Sequence, residues 1–93
     1  MCIRDRPSNV VPYKSTAVFD HSTVPRGLLR DHHTAQGVWA EITVLQGELL
    51  YEVHGEQPMT AVLTPGNPGV VEPQVPHRVE LGADTRFFVT FYR

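Results

Sequence analysis

Apolar and polar residues alternate at period two in short runs along nearly the whole chain, and glycines and prolines interrupt the runs at intervals of about eight to twelve residues. Period two is the side-chain repeat of a β-strand, and helical periodicity is absent almost everywhere. Candidate strands are residues 14–19, 28–32, 38–45, 48–54, 60–63, 69–72, 77–81 and 86–92, separated by Pro-Gly, Asn-Pro and Gly-Ala-Asp turn chemistry. About eight short antiparallel strands predict an all-β fold, a jelly roll or small barrel that limits exposed edges by folding two sheets face to face. Runs 38–45 and 48–54 meet at Gln46-Gly47, whose glycine can take the positive φ of a tight turn, so these two are expected to pair as a hairpin.

Strand parity then sorts the faces. Val38, Ala40, Ile42 and Val44 form a compact apolar face, opposite Trp39, Glu41, Thr43 and Leu45. In the last run, Phe87, Val89 and Phe91 share one face and Phe88, Thr90 and Tyr92 the other, which predicts burial on both sides or a partner on one. Trp39 is the natural contact residue of a homodimer; the alternative is that it is simply a core residue.

Length and charge narrow the class. With 93 residues, 41% hydrophobic and 19% charged, the chain fits one domain. A core of this size buries only roughly 60 to 65% of the unfolded surface, so self-association would help and a homodimer is expected. A net charge of −2 with scattered basic residues argues against nucleic acid as partner. No apolar run reaches the roughly 20 residues of a bilayer-spanning helix and no signal peptide opens the chain, so no membrane association and a cytoplasmic location are expected. The only cysteine, Cys2, lies in the opening Met-Cys-Ile-Arg-Asp-Arg, which matches nothing that follows and is similar to the translation of a sequencing-adapter sequence. Residues 1–6 are therefore expected to be non-native and residues 7–93 to form the domain, which excludes disulfides, thiol catalysis and cysteine-zinc sites.

Five histidines remain to be weighed, because neutral imidazole is the usual nitrogen ligand of transition metals. His77 follows the rigid Pro73-Gln74-Val75-Pro76 turn and shares its strand face with Val79 and Leu81, so its ring points inward, as a ligand or as a hydrogen-bonded core residue. In an extended segment His32 and Thr34 project together and His33 opposite, so one of the two adjacent histidines can face inward and meet His77 across a barrel. A third donor is less clear: Glu41 has the wrong parity, and Glu72, Gln74 and His33 are the alternatives. His21 and His54 fall in expected turns and loops, where exposure is the default. Pro65-Gly66-Asn67-Pro68-Gly69 lacks the lysine and following helix of a phosphate loop, and no Gly-x-Ser-x-Gly elbow occurs, so nucleotide binding there and serine hydrolysis are excluded.

Several of these residues also resemble a known family. The stretch from Gly27 through His32, Thr34, Gly37 and Trp39, then Val44-Leu45-Gln46-Gly47-Glu48-Leu49, is similar to the first motif of the TehB/YeaR-like small cupins, the tellurite-resistance-type domain. Pro65-Gly66, the stretch Glu72-Pro73-Gln74-Val75-Pro76-His77, the closing 87–92 strand and Pro12-Tyr13-Lys14-Ser15-Thr16 resemble the rest of that pattern. The resemblance implies a cupin-like jelly-roll barrel, a double-stranded β-helix, with His32 and His77 as metal ligands and Thr34 and Gln74 as ligand-binding pocket positions. Thr34 replaces the second histidine of the general cupin His-x-His, and Ala40 stands where its glutamate would, so half of the usual metal set is missing. The implied function is binding of a small ligand or oxyanion, with one divalent transition metal (zinc, iron or nickel) as the only expected cofactor, in tolerance of or response to tellurite and related oxyanions. The alternative is a metal-dependent oxygenase or isomerase.

Overall fold

The computed structural model describes residues 9–29, 33–55 and 57–93. It is all-β, and the described residues form seven strands and one short 3-10 helix: β1 (Pro12–Ser15), the helix η1 (Arg26–Leu29), β2 (Trp39–Gln46), β3 (Leu49–Val53), β4 (Met59–Leu63), β5 (Gly69–Val71), β6 (His77–Leu81) and β7 (Arg86–Tyr92). All pairings between strands are antiparallel, in a four-stranded sheet of order β1-β7-β2-β5 and a three-stranded sheet of order β4-β3-β6. The two sheets share no strand pairing among the described residues, so they form a sandwich rather than one closed hydrogen-bonded barrel. No helix among the described residues is long and apolar enough to cross a membrane.

The core lies between the sheets and follows the expected parity. Ala40, Ile42 and Val44 of β2 and Phe87 and Val89 of β7 are buried, as are Leu49 and Tyr51 of β3, Leu63 of β4 and Val79 of β6 on the opposing sheet. Each fully buried valine, leucine, isoleucine or phenylalanine side chain contributes about 1.5 to 3 kcal/mol by leaving water. Tyr51 also bridges the layers, donating its hydroxyl to the Val70 carbonyl at 3.3 Å. The outer face of the four-stranded sheet is mixed: Trp39 and Phe88 are half-buried, Tyr92 is buried directly opposite Trp39, and Leu45 is 50% exposed.

The expected hairpin at Gln46-Gly47 does not form. β2 pairs with β5 and β7, whereas β3 pairs with β4 and β6, so the chain crosses from one sheet to the other at this corner. A register irregularity between Val44 and Gln46 ends the β2–β7 ladder there, and Gly47 turns the chain at φ +72°. The corner is wedged against the β6–β7 turn: Gln46 Nε2 donates to the Asp84 carbonyl at 3.0 Å, and a Cβ on Gly47 would lie 3.1 Å from Thr85 Cα. A glycine of positive φ suits a hairpin and a sandwich corner equally, and the choice is made by burial on both sides of the turn, in Val44 and Leu49.

Two further expectations change. The strand at 28–32 is replaced at its start by η1, whose Leu28 N–H donates to the Pro25 carbonyl at 3.0 Å; residues 30–32 lie outside the described residues. Proline sets the φ that favours such a turn, and tertiary packing against β6 holds it. The strand at 14–19 runs instead from Pro12 to Ser15, after which Phe19 makes an isolated bridge to Phe87 and an edge-on ring contact at 5.7 Å.

Candidate functional site

His77 opens β6, where pairing with Val53 and the inward parity of Val79 bring it to the interior at 4% exposure. Its ring meets Tyr51 edge-on, with centroids 5.9 Å apart. The Nδ1 atom sits 3.2 Å from the Val75 carbonyl oxygen, and because a carbonyl only accepts, Nδ1 carries the proton. In the neutral ring the lone pair therefore belongs to Nε2, the atom that would ligate a metal. Burial foremost, then the nearby Glu72 carboxylate, push the Tyr51 phenol above its ordinary range, so it remains a neutral hydroxyl beside the imidazole.

Thr34 is buried at 6% exposure and works on the main chain. Its hydroxyl donates to the Val38 carbonyl at 2.8 Å, and its own carbonyl accepts the Gln74 N–H at 3.2 Å. Gln74 itself is exposed and holds φ +61°, in the left-handed region that non-glycine residues seldom adopt. The expected pocket residue Gln74 thus meets Thr34 through its backbone. The turn at residues 72–76 pins Thr34 through the Gln74 amide and His77 through the Val75 carbonyl.

Both Thr34 and His77 line one cavity of about 240 Å³ between the sheets. Among the described residues its walls include Ala40 and Ile42 of β2, Val79 of β6, and Phe87, Val89 and Phe91 of β7, with Phe19 and Leu28. Parity reasoning reached His77 and the β2 and β7 walls. It missed Tyr51, although the alternation Leu49, Tyr51, Val53 carries the signal, and it missed Leu28, which the strand reading hid.

The expected ligand His32 lies outside the described residues. Glu41 sits on the face of β2 opposite Ala40 and Ile42, paired with Val70 and Thr90, as its parity requires. His33 and His54 are exposed, with His33 Nδ1 3.2 Å from the Thr34 carbonyl oxygen and His54 Nε2 3.2 Å from a Glu52 carboxylate oxygen. Among the described residues no three histidine, cysteine, aspartate or glutamate side chains converge as a metal site would require.

The fold and the cavity define a small antiparallel β-sandwich domain with a histidine-bearing internal pocket. The family model of the TehB-like domain matches residues 14–89, and the chain belongs to that family. TehB from Haemophilus influenzae has a solved structure that is 31% identical with a TM-score of 0.82; the match covers 91% of this chain and 32% of that one, so this chain spans about a third of that TehB. A crystal structure of a protein from E. coli strain K12 matches with a TM-score of 0.87 at 24% identity, over 98% of this chain and 97% of that one, which shows a shared fold. No curated protein sequence matches the chain significantly.

Proposed function

We propose that the chain is a small-ligand-binding domain of the tellurite-resistance type, a small cupin in a compact form, and that the inter-sheet cavity is its binding site. The observation that carries this reading is the cavity itself, about 240 Å³ with buried His77 and Thr34 in its wall. His77 supplies the polar contact, Thr34 and Gln74 hold the turn that orients it, and His32 joins His77 where a divalent metal is bound. The role is tolerance of or response to toxic oxyanions, in the cytoplasm. The domain acts as a homodimer joined through the outer face that carries Trp39 and Leu45.

A thermal-shift panel of small molecules, oxyanions and divalent cations tests the binding role, since a ligand at 100 times its Kd raises stability by about 2.7 kcal/mol. The expected result is a shift that His77→Ala removes; absence of any ligand-dependent shift overturns the reading. Stoichiometric metal in the purified protein, lost in His32→Ala and His77→Ala and accompanied by turnover, would instead support a metal-dependent enzyme. Sedimentation of the wild type and Trp39→Ala tests the dimer.

A further inference from the structure

The chemistry of the cavity wall narrows what it can hold. Among the described residues, three lining side chains carry polar hydrogens, and each has a main-chain acceptor: Thr16 Oγ1 donates to the Ala17 carbonyl at 2.8 Å, Thr34 Oγ1 to the Val38 carbonyl at 2.8 Å, and His77 Nδ1 to the Val75 carbonyl at 3.2 Å. The rest of the described wall is aliphatic and aromatic, including Ile42, Val79, Phe87 and Val89. An anion here would leave water for a wall whose described side-chain protons already have main-chain acceptors, and burying an unpaired charge is strongly unfavourable. An uncharged apolar molecule meets no such penalty and gains by contact with the rings and methyls.

We infer that the cavity selects a compact, uncharged, mainly apolar molecule, of the size of a single ring with a short substituent or a small fused ring, over a bare oxyanion. This rests on the reading that the cavity is the binding site and specifies its ligand class. Apolar cavities of roughly 150 Å³ stay dry and take benzene, and the cavity here, at about 240 Å³, is larger. Access does not require the sheets to part, because Pro25 and Gly27, which line the wall on the η1 side, are exposed.

The test is a methyl and amide NMR titration of the full chain with indole as the uncharged probe and with tellurite and nitrate as bare anions, all without added metal. Indole is expected to shift the Ile42, Val71, Val79 and Val89 methyls saturably, and the anions to leave them unmoved. Ala40→Leu, which fills the cavity, and Leu28→Trp, which narrows it from the surface, each weaken indole binding at least tenfold; if only one of them folds, that variant decides. Indole binding unchanged in the folded variants overturns the inference. Shifts of the same methyls by an anion but not by indole overturn it too, while the binding-site reading stands. Silence toward every probe sinks both.

Discussion

The backbone N–H of Gln74 donates to the carbonyl oxygen of Thr34 at 3.2 Å, joining residues forty apart in the chain. That bond fixes the loop leading into β2 against the turn leading into β6, the segments that carry Thr34 and His77 to the cavity. Gln74 makes it while holding φ +61°. Gln74→Gly should therefore fold with unchanged or slightly higher stability, whereas Gln74→Val should lose about 1 to 2 kcal/mol through left-handed strain. Urea unfolding measures both. If Gln74→Gly instead weakens ligand binding at unchanged stability, the exposed side chain contributes to the site.

Thr34→Val should destabilise by about 1 to 3 kcal/mol, because it leaves the Val38 carbonyl without its hydroxyl donor. Thr34→Ser keeps the donor and should cost only about 1 kcal/mol, the loss of one buried methyl. Equal losses in the two variants would show that the hydrogen bond has no part in stability.

Gly47→Ala combines strain at φ +72° with a Cβ placed 3.0 Å from Asp84 Oδ1 and 3.1 Å from Thr85 Cα. We expect a loss of about 1 to 3 kcal/mol in denaturant unfolding. Adding Asp84→Ala should recover only part of it, since the backbone contact and the strain remain.

Asp20 closes a tight turn, accepting bonds from the Ser22 hydroxyl at 2.7 Å and the Ser22 amide at 2.9 Å. These bonds, with those from Thr23, hold its carboxyl down to about 2, against an ordinary value of 3.8. A folded value below the unfolded one means that this contribution is complete above pH 4 and is lost as pH falls from about 4 toward 2. Thermal melts between pH 2 and 5 should show a shallower acid slope in Asp20→Asn; an identical slope would remove the carboxylate from the stability of this turn.

Where a structural demand is local, it could be read from the order of residues. The all-β class, the inward set Ala40, Ile42 and Val44, the two-faced β7 and the inward ring of His77 all follow from a repeat of two, because successive side chains of a strand must point to opposite sides. Glycine at Gly47 announced a turn of positive φ for the same local reason.

Pairing was decided elsewhere. Whether β3 would lie beside β2 or face it across the core depends on which arrangement buries Val44, Leu49, Tyr51 and Phe87 together, and no window of neighbouring residues contains that comparison. Likewise β1 finds β7 from the far end of the chain, Pro12 opposite Tyr92. The path around η1 is settled by its packing against β6; the hydrogen bonds of Thr16, Thr34 and His77 to Ala17, Val38 and Val75 are local, but only the closing of the sheets on each other brings these three side chains to one cavity. The chain's alternation thus determined which residues face inward, and tertiary burial determined which of them line the cavity.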